Sequence, residues 1–365
     1  MNCLRKITLW SHVPLIYAGA LVCGVVGNWL NLPLPWMIGA MAFATVVRLS
    51  NLPIQVPLMS RPIGQMIIAS SVGLSFTPAA VGVLTTLFIP MIGAAVLTII
   101  AGFAVAALLM RMASVDVITA TLASIPMGPV ESAHLARRHG VSPGPVIFAQ
   151  TLRIMMLVVF IPPVLLALVD DIQDPIGVLR AIPWTTTGAF MLGGFALLGA
   201  IVANAVRLGN PFFVGSIGGA ALAAALSLPV TAYPYPILVI GQIFLGVWLG
   251  AVFDRQLIRQ AGSFIPGAVV SSLVMVALCL GVGLGLAWVT GQPWTVMVLA
   301  TAPGSVTEMA LTAKILQEGI SVVTTFHLVR IFIILPAAPM IISITARLAT
   351  RWGQRPHMTP PETDP

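Results

Sequence analysis

Long apolar segments fill most of this chain and alternate with short polar stretches. They lie near residues 13–30, 35–49, 62–78, 81–110 and 144–169, and again near 184–206, 211–229, 237–252, 266–289 and 321–346. Such runs are long enough for tilted or short spans across roughly 30 Å of hydrocarbon. They lack the two-residue alternation of membrane β-barrel strands. The pattern therefore predicts an all-α polytopic membrane protein with about ten transmembrane helices.

Two further segments, 115–139 and 295–316, carry a proline and a glycine inside an otherwise helical pattern. Proline lacks a backbone donor and glycine tolerates unusual dihedral angles, so a continuous helix is disfavoured at both places. We predict a broken or re-entrant helical hairpin in each segment. The residues that form the breaks are Pro126 and Gly128 in the first segment, and Pro303 and Gly304 in the second.

The two halves of the chain repeat one another. An offset of 177 residues joins six pairs: Gly64 and Gly241, Gln65 and Gln242, Pro126 and Pro303, Glu131 and Glu308, Arg153 and Arg330, and Pro162 and Pro339. Pro35 and Gly39 match Pro211 and Gly215 at an offset of 176, so one residue was gained between these motifs. A register kept over about 100 residues indicates two tandem copies of one helical repeat.

The duplication gives the chain its domain organisation. The repeats cover residues 13–169 and 184–346, and residues 1–12 form an N-terminal segment that we expect in the cytoplasm. The connecting segment 170–183 opens with Asp-Asp-Ile-Gln-Asp-Pro, the most acidic stretch of the chain, and is predicted to be a linker. The polar, proline-rich end, 347–365, is predicted to form a disordered cytoplasmic tail.

The distribution of Lys and Arg bears on whether the broken segments cross the membrane. If both return to their starting side, thirteen Lys and Arg lie in the cytoplasm and two, Arg180 and Lys314, lie outside; if both cross, the counts are nine and six. Cytoplasmic loops of membrane proteins are enriched in Lys and Arg. The charges therefore favour two inverted repeats with two hairpins that enter from opposite faces, and both termini in the cytoplasm. Inverted repeats place discontinuous helices near the bilayer midplane, where carriers bind substrates and coupling ions.

Composition supports a membrane protein of the bacterial inner, or cytoplasmic, membrane. Hydrophobic residues make up 58% of the chain and charged residues 7%, whereas about a quarter of the residues of a soluble domain are charged. The net charge of +7 is explained by the same cytoplasmic excess of Lys and Arg. No basic cluster with interleaved aromatic residues resembles a nucleic-acid surface. The expected partners are the lipid bilayer and a small solute or ion, with no direct binding of nucleic acid.

Two glutamates and two arginines are the main candidates for a binding site. Glu131 and Glu308 lie at the start of the helix that leaves each break, and Arg153 and Arg330 follow them by 22 residues, inside the next span. A buried carboxylate is costly in a membrane and tends to mark an ion or substrate pathway. We expect one ion pair in each repeat, Glu131 with Arg153 and Glu308 with Arg330.

These four residues allow three interpretations. A glutamate in a first helical turn is stabilised by exposed N–H groups and the helix dipole, and the pair could simply hold the hairpin to its neighbouring helix. A carboxylate could instead exchange its partner for a proton, Na⁺ or a cationic solute. An anionic solute could also bind the arginines and the helix N-termini. The sequence leaves all three open.

Four further polar residues are candidates, two for substrate or ion binding and two for packing or secondary binding. Gln150 and its counterpart His327 precede the arginines by three residues, and we predict that they line the same cavity. His327 would titrate near neutral pH and is a candidate proton sensor or relay, although a single polar residue in a helical bundle is more often an interhelical hydrogen-bonding group. Gln65 and Gln242 begin short glycine-rich segments and are candidates for helix packing or secondary binding.

Motifs of the common enzyme classes are absent from the sequence. It contains no GxSxG, no HExxH and no phosphate-binding loop, and its five histidines have no metal-ligand spacing. We therefore expect no enzymatic activity, no cofactor and no metal site.

The repeated motifs resemble those of the AbrB membrane-protein family, whose members carry two copies of the AbrB duplication domain. The resemblance covers nearly the whole chain. The family's usual Pro-Gly-Gly reads Pro-Met-Gly in the first copy and Pro-Gly-Ser in the second. The motifs that carry the resemblance are PLPWMIGA (33–40), GQMIIASSVGLSF (64–76), SIPMGPVE (124–131) with AQTLR (149–153), and APGSVTE (302–308) with FHLVR (326–330).

The resemblance implies two functional labels. Family members are commonly labelled regulators of gene expression, and some are labelled ammonia monooxygenases. A copper or iron oxygenase needs a ligand cluster that this sequence lacks, so monooxygenase activity is not expected. We interpret the chain as a secondary transporter-like carrier of a small solute or ion. The alternative is a membrane-embedded regulator or sensor that influences gene expression without net transport, and self-association of the chain is left open.

Overall fold

Helices account for all the regular secondary structure of the described residues, as predicted. The computed structural model describes residues 13–50, 52, 56–168, 175–253 and 255–351. The predicted N-terminal segment 1–12, the acidic stretch 170–174 and the tail beyond residue 351 lie outside them. The helices are α1 (Val13–Trp29), α2 (Pro35–Leu49), α3 (Ser60–Gly73), α4 (Pro78–Thr86), α5 (Phe88–Ala113), α6 (Val117–Ser124), α7 (Pro129–Arg138), α8 (Pro143–Leu168), α9 (Pro175–Arg180), α10 (Thr186–Ala205), α11 (Pro211–Ala225), α12 (Tyr235–Ala251), α13 (Arg255–Ala261), α14 (Phe264–Thr290), α15 (Trp294–Thr301), α16 (Val306–Leu316) and α17 (Ile320–Arg351).

Five of the described helices, α5, α8, α10, α14 and α17, are long and apolar enough to cross a membrane. A sixth is obtained if the bent pair α12 and α13 counts as one span. The other predicted spans, α1, α2, α3, α11 and α12, are helices of 14 to 17 residues. These are shorter than the roughly 20 residues of a full span. The fold is therefore helical and of the multi-pass type, with fewer helices of full spanning length than the ten predicted crossings.

Large apolar side chains on the long helices face outward. Phe190 on α10 is 78% exposed, and Trp288 on α14 is 88% exposed. Soluble monomers rarely expose large contiguous apolar patches. An outward apolar surface is what a lipid-facing helix requires, which agrees with the apolar composition.

One predicted span is divided in two. The segment 81–110 reads as a single helix, but α4 ends at Thr86 and α5 begins at Phe88, with Leu87 buried between them. Pro90 explains the division, because in a continuous helix its ring would clash with the carbonyl group four residues earlier, at Thr86. Within the first turn of a new helix, the same proline is tolerated.

The chain divides into two compact units. Unit 1 consists of residues 1–86, 158–255 and 306–324, and unit 2 of residues 87–157, 256–305 and 325–365. Each unit therefore contains helices from both halves of the sequence. The end of α17, through Arg351, extends five residues into the segment predicted as a tail, and α9 lies inside the predicted linker.

Helices from the two halves pack in equivalent pairs within unit 1. α2 packs on α12, and its counterpart α11 packs on α3; likewise α1 packs on α2, and α10 packs on α11. A Cβ atom at Gly250 would lie 2.3 Å from the carbonyl oxygen of Met41. A Cβ atom at Gly73, the counterpart of Gly250, would lie 2.9 Å from the carbonyl oxygen of Ile217, the counterpart of Met41. The two copies of the repeat therefore bring equivalent pairs of helices equally close, backbone to backbone.

Lys314 is buried within unit 1, whereas the topology predicted from the sequence placed it outside. Its side chain is 8% exposed. The Nζ atom donates to the carbonyl oxygen of Ser71 at 3.1 Å and also to the Ser71 hydroxyl. Because α3 ends two residues later, at Gly73, the amine binds one of the last carbonyl groups of that helix, where a cation is stabilised.

Unit 2 is built around the packing of α5 on α14. Ala101 and Val105 of α5 form a buried cluster with Met275 and Cys279 of α14. α14 also contacts α6 and α15, the arms that precede the two predicted breaks. A second cluster joins residues of α6, α7, α8 and α17. These helices form the frame that holds the broken segments.

The close packing of α10 on α11 leads to a prediction about stability. Gly215→Ala is expected to destabilise the protein by roughly 1–3 kcal/mol, the usual cost of overpacking. The reason is that the new Cβ atom would lie 2.3 Å from the carbonyl oxygen of Gly199. Gly218→Ala, in the same helix, is the control, because a Cβ atom there meets nothing within 4 Å. Denaturant unfolding in detergent measures both variants, and equal stabilities would contradict the packing.

Candidate functional site

The chain leaves the helical conformation at both predicted interruptions. Residues 125–128 separate α6 from α7, and residues 302–305 separate α15 from α16. Each break opens with a residue that precedes a proline and has an extended backbone: Ile125 (φ −67°, ψ 125°) and Ala302 (φ −50°, ψ 134°). A proline ring excludes the helical conformation from the residue before it. The sequence therefore sets where each helix stops.

Gln150 and His327 bind equivalent carbonyl groups near the two breaks. A broken helix leaves its last carbonyl groups without partners inside the helix. Gln150 donates through Nε2 to the carbonyl oxygens of Leu122, at 2.6 Å, and Ile125, at 2.8 Å. His327 Nε2 lies 2.9 Å from the carbonyl oxygen of Leu299, the counterpart of Leu122. Both side chains therefore act as interhelical hydrogen-bonding partners of a broken helix end.

Arg153 contacts both breaks with one guanidinium group. It donates through Nη1 to the carbonyl oxygens of Ala123, at 3.3 Å, and Ser124, at 3.0 Å, which end α6. Its Nε donates to the carbonyl oxygen of Pro303, at 3.2 Å, in the second break. A further bond joins Nη2 to the side-chain oxygen of Gln150. Because one guanidinium is only a few ångströms across, the two breaks lie close together in unit 2.

Arg330 binds the second break through two of its nitrogen atoms. Its Nη1 donates to the carbonyl oxygen of Ala302 at 2.6 Å, and its Nη2 donates to that of Gly304 at 2.7 Å. These two residues flank Pro303, so two guanidinium groups converge on one three-residue segment. Both arginines are buried, at 2% exposure for Arg153 and 6% for Arg330. The arrangement places two cations at the C-terminal ends of broken helices, where the helix dipole favours positive charge.

Hydrogen bonds orient the imidazole ring of His327. Its Nδ1 atom lies 2.9 Å from Nη2 of Arg330, which can only donate, so Nδ1 accepts. Its Nε2 atom faces the carbonyl oxygen of Leu299, which can only accept, so Nε2 carries the proton. The geometry thus corresponds to the neutral ring. A role for His327 as a proton relay stays a prediction, since it would require the ring to leave Arg330.

Glu131 lies half-buried in the first turn of α7. Its Oε2 atom is buried without a hydrogen-bond partner. The carboxylate folds back over the break, so that a Cβ atom at Gly128 would lie only 1.8 Å from Oε2. The predicted ion pair with Arg153 is not formed among the described residues, because the donors of that guanidinium bind carbonyl oxygens and Gln150 instead.

Glu308 belongs to unit 1. It lies in the first turn of α16, a helix whose residues are all buried, and is itself 6% exposed. A carboxylate in that turn is near the exposed N–H groups of a helix start, which stabilise negative charge. Its predicted pairing with Arg330 stays a prediction.

Gln65 and Gln242 are buried side chains of unit 1. They follow Gly64 and Gly241, where α3 and α12 meet: a Cβ atom at Gly64 would lie 2.9 Å from the carbonyl oxygen of Gly241. This close approach accounts for the glycines by helix packing. The Oε1 atom of Gln242 is buried without a hydrogen-bond partner, so one amide of the pair keeps an unused acceptor.

Sequence reasoning missed three polar groups that lie beside the breaks. Ser124 and Thr301 are the last residues of α6 and α15, and both are buried. Thr301 bonds to the carbonyl oxygens of Cys279 and Met297, each at 2.9 Å, whereas the Ser124 hydroxyl has no partner. Through its carbonyl oxygen, the third residue, Cys279 of α14, is held at the end of α15 by Thr301. The offset of 177, which pairs Ser124 with Thr301, was the signal that could have identified the two hydroxyl groups.

The site has the chemistry of a binding site for a small polar or charged ligand. It combines two buried cations, one half-buried carboxylate and one unpartnered hydroxyl. In the part of the chain that the structure describes, no group of three or more His, Cys, Asp or Glu residues is placed to hold a metal ion.

The chain is similar to known proteins over a range that includes this site. A family model described as "Transition state regulatory protein AbrB" matches residues 36–346. The chain is 24% identical to "Putative regulator AbrB" of Escherichia coli (strain K12) over 320 residues, which cover 86% of this chain and 90% of that protein. It is 22% identical over 356 residues to "Uncharacterized protein YhjN" of Bacillus subtilis (strain 168), with 91% of each chain covered. The family match spans both breaks and both arginines.

The bridge made by Arg153 leads to a second stability prediction. Arg153→Leu is expected to lower the free energy of unfolding by at least 1–3 kcal/mol, roughly the cost of one buried polar group left unsatisfied, because three carbonyl oxygens lose their partner. Arg153→Lys should fall in between, since one ammonium group cannot reach both breaks. Arg137→Leu, at an exposed position, is the control. Denaturant unfolding checks the order, and wild-type stability of Arg153→Leu would show that the bridge contributes nothing.

Proposed function

The chain belongs to the AbrB family, and we propose that it is a secondary carrier of a small solute or ion in the bacterial inner membrane. The observation that carries this proposal is the position of Arg153, which bonds the backbone of both broken helices in one buried place. Secondary carriers with discontinuous helices bind substrate and coupling ions at such breaks.

The breaks place a preformed polar region inside the apolar protein. Irregular backbone at membrane depth is tolerated only where protein buries it or where it lines a water-filled cavity. Here side chains of α8 and α17 satisfy the carbonyl groups of the broken helix ends. A carrier needs such a preformed polar region, because a transported solute must exchange its water shell for protein groups at the same depth.

The proposed topology consists of two inverted repeats with ten crossings and cytoplasmic termini. Two observations support it. The equivalent packing of α2 on α12 and of α11 on α3 is what two copies of one fold would produce. The burial of Lys314 also removes one of the two positive charges assigned to the outside, which leaves Arg180 there against thirteen in the cytoplasm.

Glu131 and Glu308 are proposed to couple transport to a proton or Na⁺. The buried, unpartnered Oε2 atom of Glu131 supports this role, because an unsatisfied buried carboxylate is costly unless it takes up a cation. A purely structural glutamate in the same turn would gain from the helix dipole alone. The two interpretations differ in what neutralisation does: it should stop a coupled carrier and leave a structural contact nearly intact.

A membrane regulator or sensor is the second candidate. The family description and the name of the Escherichia coli relative both contain the idea of regulation. Such a protein would bind its ligand and alter gene expression through a partner, without net flux, without enzymatic activity and without contacting nucleic acid itself. A carrier, by contrast, should move the solute in the absence of any other protein.

Flux through purified protein separates these candidates. A metabolite comparison between cells that lack and overproduce the chain identifies the solute, and proteoliposomes then measure its movement under a proton or Na⁺ gradient. Wild-type protein should show gradient-driven flux, and Glu131→Gln and Glu308→Gln should reduce it to the level of empty liposomes. Asp116→Asn is the matched control, because Asp116 only caps α6 through the N–H group of Thr119, at 2.8 Å, and Asn caps equally well. Ligand binding without any flux would favour the sensor.

Labelling of single cysteines tests the hairpin topology. Arg138 and Gln317 are exposed residues at the ends of α7 and α16, the outgoing arms of the two broken helices. In a background without native cysteines, Arg138→Cys should react from the cytoplasmic side and Gln317→Cys from the other side of the membrane. Reaction of both from one side would contradict inverted repeats with re-entrant hairpins.

A further inference from the structure

One end of unit 2 carries exposed arginines from three helices. Arg111 lies in the last turn of α5, Arg137 and Arg138 in the last turn of α7, and Arg259 in the last turn of α13. All four side chains are exposed. Among the described residues, their guanidinium groups have no hydrogen-bond or ion-pair partner. The hydrogen-bonding capacity of these groups is therefore directed away from the rest of unit 2.

Packing contacts bring the ends of α5 and α13 together. The beginning of α14 packs on the end of α5, since a Cβ atom at Gly267 would lie 3.1 Å from the Cβ atom of Ala113. α13 ends only three residues before α14 begins. The beginning of α8 also lies against α13, since a Cβ atom at Gly144 would lie 2.5 Å from Oε1 of Gln260. Arg111 and Arg259 are thus on the same end of the unit.

The end of α7 belongs to the same region. α7 ends at Arg138, and α8 begins shortly after it, at Pro143. One buried cluster contains Leu135 of α7, Val146 of α8 and Ile118 of α6. Because α6 follows directly on the end of α5 along the chain, this cluster ties the end of α7 to that of α5. We call the four arginines at this end of unit 2 the basic face.

The basic face has little negative charge near it. Asp116, the N-cap of α6, is the one acid in the segments that make up this end of the unit, which are 111–116, 134–144 and 256–267. Four arginines and one aspartate leave three positive charges. A surface with this charge attracts an anionic partner.

The duplicated fold does not by itself require these arginines. Shifting their positions by the repeat offset of 177 residues gives four counterparts in the other half: Trp288, Lys314, Ile315 and Gly82. Lys314 alone among them is charged, and it is buried in unit 1. Trp288, the counterpart of Arg111, is 88% exposed and has the side chain typical of an uncharged anchor at the membrane interface. The exposed positive charge is a property of one copy only.

The lengths of the neighbouring helices place the basic face among lipid headgroups. α5 has 26 residues and α14 has 27, which corresponds to about 39–40 Å at 1.5 Å per residue. The hydrocarbon core of a bilayer is roughly 30 Å thick, and roughly 40–45 Å with the headgroups. The ends of these helices therefore extend into the headgroup layer. Met112, next to Arg111, is 44% exposed and supplies an apolar contact for lipid at the same place.

We infer that the basic face binds the phosphate groups of anionic phospholipids. The planar guanidinium group of arginine binds a phosphate through two parallel hydrogen bonds. Clusters of Lys and Arg at the cytoplasmic ends of membrane helices attract anionic lipids, and in the proposed topology this end faces the cytoplasm. Each arginine can bind a different lipid, so no single ligand has to reach all four. The inference does not depend on the proposed carrier function.

Thermal unfolding of the full chain in dodecyl maltoside tests this inference. The protein is titrated with dioleoyl phosphatidylglycerol, which is anionic, or with dioleoyl phosphatidylcholine, which has no net charge. Sodium phosphate and poly-L-glutamate are the soluble anionic probes. Phosphatidylglycerol is expected to raise the melting temperature at concentrations roughly tenfold or more below those needed of phosphatidylcholine. The soluble anions should have no comparable effect, because they lack acyl chains.

Variants assign the effect to the basic face. Arg138→Gln should weaken phosphatidylglycerol binding about fivefold, the effect of one arginine near an anionic surface. A variant with Gln at Arg111, Arg137, Arg138 and Arg259 together should lose the preference for phosphatidylglycerol, yet unfold at the wild-type temperature without lipid. Arg207→Gln is the matched control, because Arg207 is an exposed arginine of unit 1, outside the basic face. It should keep the wild-type affinity.

The comparison of lipids and variants decides the inference. A preference for phosphatidylglycerol that persists in Arg207→Gln and disappears in the fourfold variant supports it. The inference is overturned if phosphatidylcholine stabilises the protein as strongly, if the fourfold variant keeps the preference, or if Arg207→Gln weakens binding as much as Arg138→Gln. An equal effect of phosphate or poly-L-glutamate would also overturn it, and would indicate a soluble anion or an acidic protein as the partner.

Discussion

The fold of unit 2 depends on one guanidinium group that satisfies the backbone of two broken helices. A helix interrupted at membrane depth leaves carbonyl groups that water cannot reach, and each would be costly without a partner. Arg153 binds the end of α6 and the second break together. Because the residue comes from α8, which follows the first broken helix, the chain supplies its own partner for both interruptions. A polar region can therefore exist inside an apolar protein without unfolding it.

The two halves of the chain satisfy equivalent carbonyl groups with different side chains. Gln150 and His327 occupy equivalent positions and bind equivalent carbonyl groups, at Leu122 and Leu299. The arginines differ more: Arg153 bonds carbonyl groups of both halves, whereas the two carbonyl groups that Arg330 bonds belong to its own half. Duplication explains the shared positions, and the divergence of the two breaks, Pro-Met-Gly against Pro-Gly-Ser, leaves the site asymmetric.

Local chemistry made the breaks predictable, but the partners of the charged residues were not. Proline fixes the conformation of its predecessor, so Ile125 and Ala302 end their helices as the sequence indicates. The pairing of Glu131 with Arg153 was expected because opposite charges attract, but bare carbonyl groups at a helix end compete for the same guanidinium. Lys314 was expected outside from the predicted hairpin topology, yet a helix end within unit 1 holds it. Which partner prevails depends on three-dimensional proximity, which spacing along the chain does not encode.

A structure determined by electron cryomicroscopy in lipid nanodiscs would test the central claim most directly, through the distances from the Arg153 guanidinium to the carbonyl oxygens of Ser124 and Pro303. We expect both distances within hydrogen-bond range, about 2.7–3.3 Å, with the guanidinium enclosed by protein. A guanidinium that binds only one break, or two breaks too far apart for a single side chain to join, would contradict the account.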